Sequence, residues 1–498
     1  MTESMSRRAR QQRRPLRSAP GQVVALVVVV AIVVGVALVG AAVPPPSPAP
    51  APTTADGVPV APVGSYSSSA FCTGGAVGPD GLAGTTDFLT NTSPVAVQGT
   101  MTSEVAPGTG SGASGSGTPA PPTQRAVVVP ARGQAAVDPA AGLPAGALAT
   151  WFAFDGGGVA VNQVTAGPDG WSTAPCASRL SGSWSFAGGS TAGGDALTLD
   201  LANPTPTDAV VDVSFLTSSG VIVPSDYQGL TVPAGQLVSE NVGDFVQNQS
   251  EVATVVTAQS GVLVAGELQQ WAGSRGGIGL WLGAPAPATV WHFAQNTNTG
   301  GSVTFHLANP GTTAVVATLS FGLPVAKVVP VQVSLPAQSV ATFSASSSGR
   351  LPGQSAYAVD VRSTGPIVVA RSVQAPSGAS TPPMSGGGPG TTTVATHWLV
   401  PAPGVPGAPG AVGATVDSLG VADPGSAPAR VVVTVAGSGA PVYAMTVAPG
   451  ALVVLGSATV SGLRPFDVRS TRPVSVEEDS GPSGAPGVVA STGMSFTS

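Results

Sequence analysis

The same pattern of turns and valine-rich segments occurs four times along this chain of 498 residues. Each copy has an Asn-Pro-like turn, a valine-rich run, a Pro-Ala-like turn and a second valine-rich run. The first turns are Asn91-Thr92-Ser93-Pro94, Asn203-Pro204, Asn309-Pro310 and Asp423-Pro424, and they lie 112, 106 and 114 residues apart. This spacing is the size of one domain. We therefore predict four copies of one module, at 67–180, 181–288, 289–393 and 394–498.

Each copy is predicted to be built from short β-strands. Runs such as Val303-Thr304-Phe305-His306-Leu307 alternate apolar and polar residues, and we count six or seven such runs per copy. Short strands at regular spacing, with no convincing amphipathic helix, indicate an all-β fold of tandem immunoglobulin-like β-sandwiches. The Cys–Trp–Cys signature of true immunoglobulin domains is absent, so only the architecture is predicted. A propeller or solenoid is the alternative, although ordinary blades have only ~40–50 residues.

The N-terminus carries the features of a membrane anchor. Six arginines in the first 20 residues define a cytoplasmic tail at 1–21, and an uncharged apolar segment follows at 22–43. That segment is long enough to cross a bilayer as one helix, and the arginines hold its N-terminal side in the cytoplasm. We therefore predict a single-pass protein of the cell membrane, with its main body extracytoplasmic and the lipid bilayer as a partner. A signal peptide cleaved near Ala41 and Ala42, giving a secreted protein, is the alternative.

A proline-rich segment at 44–66 separates the apolar segment from the first copy. Proline at this density favours an extended polyproline helix, which would act as a stalk. A disordered linker has the same composition and remains the alternative. Beyond the arginine-rich tail the chain has 12 basic and 23 acidic residues, a net charge of −11. Such a body has no basic face to neutralise phosphates, so nucleic acid is excluded as a partner.

The chain has two cysteines, Cys72 and Cys176, which flank the first copy. An even pair in an oxidising exterior predicts a disulfide. The alternative is two free buried thiols.

Motifs for catalysis or metal binding are weak. His292, His306 and His397 lie at unmatched positions of the copies, without the spacing of a metal site. No serine stands in a Gly-x-Ser-x-Gly elbow, and no glycine-rich run carries the Lys-Ser/Thr of a phosphate loop. The acidic run Glu477-Glu478-Asp479 is predicted to be a solvated strand edge. We therefore expect no cofactor, no metal and no enzymatic activity.

Candidate ligand-binding residues are Trp171, Trp271, Arg275 and Trp281, which fall in the predicted connectors between copies. Exposed tryptophan and arginine side chains suit stacking on a sugar or contact with a protein. The competing interpretation is that these tryptophans fill the joints between sandwiches.

The organisation as a whole resembles uncharacterised membrane-anchored proteins of actinobacteria. These have an arginine-rich N-terminus, one transmembrane helix, a Pro/Ala stalk and a Val/Ala/Gly-rich β ectodomain of unknown function. The resemblance covers nearly the whole chain and implies an extracytoplasmic location, but it supplies no active site. The expected function is a non-enzymatic envelope scaffold or interaction platform for a wall polymer or envelope protein. The alternatives are a carbohydrate-binding accessory protein using the connector tryptophans, and a hydrolase or transferase with its site in a cleft between copies.

Overall fold

The structure is a computed structural model. It describes residues 58–77, 84–106, 121–167, 170–297, 301–323, 328–352, 356–375, 384–401, 415–436, 441–460, 465–482 and 489–496. The predicted cytoplasmic tail, transmembrane helix and most of the stalk lie outside these residues. Within the described ranges, no helix is long and apolar enough to span a membrane.

The described chain is all-β, as predicted. The first copy contributes β1 (Ser68–Val77), β2 (Gly84–Asn91), β3 (Val97–Val105), β4 (Thr123–Val129), β5 (Gln134–Val137), β6 (Gly146–Phe154), β7 (Val159–Gly167) and β8 (Gly170–Pro175). The second contributes β9 (Ser183–Ser185), β10 (Ala196–Asn203), β11 (Ala209–Thr217), β12 (Gly220–Ile222), β13 (Leu230–Val232), β14 (Gln236–Asn241), β15 (Val252–Ser260), β16 (Val264–Gln270) and β17 (Ile278–Leu282), with short 3-10 turns at Ser225–Tyr227 and Val242–Asp244.

The last two copies follow the same plan. The third contributes β18 (Ala288–Thr297), β19 (Ser302–Asn309), β20 (Val315–Gly322), β21 (Val331–Leu335), β22 (Ser339–Ser344), β23 (Ala356–Ala375) and β24 (Met384–Pro389). The fourth contributes β25 (Ala395–Val400), β26 (Thr415–Ala422), β27 (Ala429–Val435), β28 (Pro441–Val447), β29 (Leu452–Leu455), the helical turn α1 (Ser457–Val460), β30 (Phe466–Pro482), β31 (Val489–Thr492) and β32 (Met494–Ser495).

Each copy forms two antiparallel sheets with one strand order. In the first copy the sheets are β1-β6-β3-β4 and β5-β2-β7-β8, and in the second they are β9-β15-β11-β12 and β14-β10-β16-β17. In the third and fourth copies the long strands β23 and β30 run from the first sheet into the second. The apolar residues of both sheets meet in a shared core, so each copy is sandwich-like.

The cores of the last three copies are centred on a tryptophan in the first strand. Trp184, Trp291 and Trp398 are fully buried, and each indole N–H donates a hydrogen bond to the carbonyl of Leu263, Ile367 or Val474 at 2.9–3.0 Å. The buried N–H thus has a partner, which an indole in a core needs.

The first copy has no tryptophan at this position of its first strand. Phe71 pairs with Ala177 just as Ser185 pairs with Ala284 in the next copy, so Phe71 is not at the tryptophan position. Ala70, the residue before Phe71, occupies the tryptophan position, and Cys72 is the next residue whose side chain points into the core. Because side chains alternate between the faces of a strand, a register one residue away places Phe71 against the second copy instead.

In the first three copies the asparagine of the first turn is buried, and its side-chain amide hydrogen-bonds to a carbonyl at the second turn. We call this interaction the clamp. The side-chain amide of Asn91 donates to the carbonyl of Pro130 at 3.0 Å, and Asn309 donates to Pro336 at 2.7 Å. Asn203 donates to Val232 at 3.0 Å. The two turn types of the sequence pattern are therefore joined by one side chain. In the fourth copy Asp423 is equally buried, but a carboxylate has no N–H to donate, and its Oδ2 has no partner.

The four copies contact one another in a closed ring. Their last edge strands β8, β17, β24 and β31 lie side by side in that order, and β31 contacts β8 again. At the seam between the fourth and first copies, Val60 N–H donates to Ser495 O at 2.7 Å, and Ala160 packs with Leu399 and Met494. The arrangement shares its cyclic order with a propeller, but each unit of the ring has two sheets instead of a single blade.

Candidate functional site between the second and third copies

A cavity of about 450 Å³ lies at the seam between the second and third copies. Its floor is the outer face of the second sheet of copy three, and its opposite wall comes from copy two. The lining is rich in hydroxyl, amide and charged side chains. The lining includes Glu251, Trp271, Arg275, Thr304, His306, Ser372, Gln374 and Ser385.

The floor follows from the strand register. Thr304 lies directly opposite Ser372 in the ladder between β19 and β23, and His306 lies two residues further along β19. Residues opposite each other, or two apart on one strand, share a face of the sheet. The polar residues of β19 and β23 therefore point together into the cavity, while Phe305 and Leu307 between them are buried in the core of copy three.

Three side chains form a hydrogen-bonded series across the seam. His306 Nδ1 lies 2.8 Å and 2.9 Å from the carboxylate oxygens of Glu251, and His306 Nε2 lies 2.8 Å from Ser372 Oγ. Glu251 comes from copy two and the other two residues from copy three. Glu251 and His306 are each 8% exposed, whereas Ser372 is partly exposed on the cavity wall.

Two of the predicted ligand-binding residues line this cavity, and two do not. Trp271 and Arg275 are in its wall, and the Arg275 guanidinium forms an ion pair with Asp195. Trp281 lies on β17 with its ring centroid 6.0 Å from that of Trp271, and Trp171 lies on β8. All three tryptophans are buried, at 2–6% exposure, in or beside edge strands of the ring. Their indoles therefore pack within the ring, in the manner of the competing interpretation.

The predicted disulfide between Cys72 and Cys176 is confirmed. Cys176 N–H bonds Val161 O just as Gly283 N–H bonds Ala265 O and Gly390 N–H bonds Val369 O. In those copies the glycine lies directly against Phe186 or Phe293, where a Cβ would come within 2.6–2.7 Å of the ring. The disulfide of copy one therefore occupies the place of an aromatic-on-glycine contact.

The acidic run Glu477-Glu478-Asp479 is not a solvated edge, so that prediction is wrong. All three residues are buried at the seam between copies three and four. Arg371 reaches across from copy three, with Nη2 at 2.6 Å from Glu477 Oε1 and 2.8 Å from Asp479 Oδ1. The sequence alone gave no sign of this pairing, because its partner is about 100 residues away in the preceding copy.

Further carboxyl groups are buried without a cation. Burial raises the pKa of Asp87 and of Glu267 to about 8, and that of Asp200 to about 7. Asp87 and Glu267 lie inside the sandwiches of copies one and two, and Asp200 faces Gly74 of copy one. Across the residues that the structure describes, no group of three or more His, Cys, Asp or Glu side chains has the geometry to hold a metal ion.

Sequence reasoning identified Trp271 and Arg275 but missed Glu251 and Ser372. The alignment of copies contained one relevant signal: His306 stands where copy two has Asp200 and copy four has Gly420. These positions face the preceding copy at each seam. A different residue there therefore alters the contact between the two copies.

One comparison matches part of the chain to a family of unknown function. Residues 153–289, from β6 to β18, match the model of a family of unknown function, DUF5719. No curated protein matches the chain. A crystal structure of Thermotoga maritima 1070 is similar to 21% of this chain and 93% of its own, with 16% identity and a TM-score of 0.19. A tetra-tandem repeat from the extending region of a large adhesion protein covers 86% of this chain and 100% of its own, with 12% identity and a TM-score of 0.11.

Proposed function

We propose that this protein is an extracytoplasmic interaction platform of the cell envelope, in which tandem modules of immunoglobulin-like size form one body. The apolar segment 22–43 would anchor it, and the proline-rich residues 44–57 would separate it from the bilayer, because Val60 of the predicted stalk is buried in the ring. The partner would be a wall polymer or a neighbouring envelope protein. The observation that carries this proposal is the closed ring, because it joins four modules into one compact body instead of a flexible string.

Two features of the body favour an exterior location. The Cys72–Cys176 disulfide is typical of oxidising compartments. Only 8% of residues are charged, so the surface offers hydroxyl, amide and small apolar groups, with little charge to attract nucleic acid. Such a surface suits contact with a neutral polymer or another protein.

Fractionation of cells that express the full chain tests the location. We expect the intact chain in the membrane fraction, released by detergent but not by high salt, with the body digested when protease is added outside the cell. A mature N-terminus near Ala42 would contradict the anchor. If added protease digests the body only after the membrane is broken, the body lies inside the cell. That result would contradict the whole proposal of an exterior platform.

The second candidate function is carbohydrate binding in the cavity between copies two and three. It is favoured by Trp271 and Arg275 in the wall and by the hydroxyl-rich floor. Trp271→Ala, measured at an unchanged melting temperature, would then abolish retention on purified wall polymer, and Tyr66→Ala tests an exposed aromatic site away from the cavity. Equal retention of Trp271→Ala and the wild type would reject the cavity as the polymer site.

A further inference from the structure

We propose that Ser372, His306 and Glu251 form a hydrolytic site that cleaves small polar esters in the cavity between copies two and three. This goes beyond the platform function and departs from the expectation of no enzymatic activity. That expectation rested on the absence of a local nucleophile motif. The three residues here come from three separate segments, which a local motif search cannot join.

The geometry matches the order of roles in a serine triad. Glu251 carries no proton to donate when ionised, so His306 Nδ1–H donates to it and the lone pair of Nε2 faces Ser372 Oγ–H. That tautomer is the one a general base requires. Triads recur on unrelated folds and in different chain orders, so the acid–histidine–serine order of this chain is no objection.

Burial separates the three groups by role. Glu251 and His306 are almost completely covered, so their hydrogen bond is held in fixed geometry between two packed copies. Ser372 opens onto the cavity, where a substrate can reach its hydroxyl. A nucleophile at the wall with its base behind it is the arrangement that acyl transfer needs.

The other two histidines provide an internal comparison. His292 Nδ1 pairs with Asp360 at 2.5 Å, and His397 Nε2 pairs with Asp467 at 2.9 Å. Each is therefore a histidine–carboxylate pair, and His397 is stacked on Phe496. Neither lines the cavity. His306 differs because its second nitrogen reaches a serine on the cavity wall.

The reaction balances without a cofactor. Ser372 Oγ attacks the ester carbonyl carbon while its proton passes to His306 Nε2. The proton then goes to the alkoxide oxygen as the C–O bond breaks, which leaves an acyl-serine and a free alcohol. Water deprotonated by His306 attacks the acyl carbon, and the serine regains the proton, which releases the acid. Thr304, opposite Ser372, and Gln374, two residues along β23, supply side-chain donors near the developing oxyanion.

The lining indicates the substrate class. A cavity of about 450 Å³ with hydroxyl, amide and charged walls accommodates a small hydroxylated alcohol carrying a short acyl group, and not a long lipid chain. Asp195 already neutralises the charge of Arg275, so the cavity does not require a negatively charged substrate. An O-acylated sugar has this chemistry.

The test uses the oxidised, folded protein with a fluorophosphonate probe and with p-nitrophenyl acetate. We expect one covalent label per chain, located at Ser372 by peptide mass spectrometry, and turnover of the ester. Ser372→Ala should lose the label and lower turnover by roughly 1,000-fold or more. Ser334→Ala, at an exposed position of β21 outside the cavity lining, is the control and should keep both.

Glu251 is a positioning residue, so its test separates kcat from KM. Glu251→Gln should lower kcat with KM little changed, and Glu251→Asp should restore part of kcat, whereas a merely structural role would change the melting temperature alone. The proposal is overturned if the folded wild type takes no label and turns over no ester. It is equally overturned if Ser372→Ala, with an unchanged melting temperature, labels and turns over like the wild type.

Discussion

Two seams of the ring use the same strand positions in opposite ways. The first lies between copies two and three, and the second lies between copies three and four. At the first, His306 of β19 stands beside an open polar cavity. At the second, the equivalent Gly420 of β26 lets the side chain of Gln295 approach, and Arg371 joins Glu477 and Asp479 with all three side chains at most 5% exposed. The shared framework fixes where two copies meet. The residue at each seam position decides whether the seam is closed or open to a ligand.

Removing the cation from the closed seam is expected to have the largest effect. Arg371→Met would leave Glu477 and Asp479 buried and unpaired, which typically costs about 3–5 kcal/mol. Urea denaturation measures the loss. The matched control is Arg469→Met, since Arg469 is 65% exposed and its pair with Asp467 is worth no more than ~1 kcal/mol. Equal stability of Arg371→Met and Arg469→Met would show that the closed seam does not depend on this network.

At the seam between copies one and two, Asp200 occupies the position that His306 has in copy three. We expect Asp200 to make the free energy of unfolding depend on pH. Burial raises the pKa of Asp200 to about 7 in the folded state, against ~4 when unfolded. Its contribution to stability is therefore complete below pH ~4 and is lost as pH rises towards 7, by at most about 1.4 kcal/mol per pH unit.

The measurement is the free energy of unfolding at pH 5, 6 and 7. Asp200→Asn should flatten this dependence, because the amide stays neutral throughout. Asp208→Asn, on a residue that is exposed in the turn after β10, is the control and should leave the slope as in the wild type. A slope that Asp200→Asn does not change would assign the pH dependence to other carboxyl groups whose pKa burial raises, among them Asp87, Glu104, Glu267 and Asp479.

The smallest predicted effect concerns the clamp of the fourth copy. Asp423→Asn supplies the missing N–H and should stabilise the protein by about 1 kcal/mol, the typical worth of one hydrogen bond. The mirror change Asn309→Asp in the third copy should destabilise by a similar or larger amount, because its amide donates to Thr313 and Pro336. Thermal unfolding of both variants checks the pair. A destabilised Asp423→Asn would show that the clamp does not need the amide.

Local regularities of the sequence predicted the all-β fold and the disulfide, whereas the contacts at the seams escaped prediction. The repeated asparagine and the two cysteines both correspond to features of the structure, since each depends on contacts within one copy. Glu477 was misjudged because its partner Arg371 belongs to another copy. Glu251, His306 and Ser372 were not grouped because they meet only when two copies dock. Closure of the ring has no local signature, since it joins residues at opposite ends of the body.

Ring closure is therefore the claim to test most directly. Val60→Cys and Phe496→Cys together place two thiols at paired positions of the seam between the first and fourth copies. Under mild oxidation we expect an intramolecular disulfide in nearly every chain, found by mass spectrometry of the non-reduced digest, whereas Val60→Cys paired with the exposed Val454→Cys should give none. A folded double variant in which residues 60 and 496 stay unlinked would contradict the ring and favour an extended string of modules.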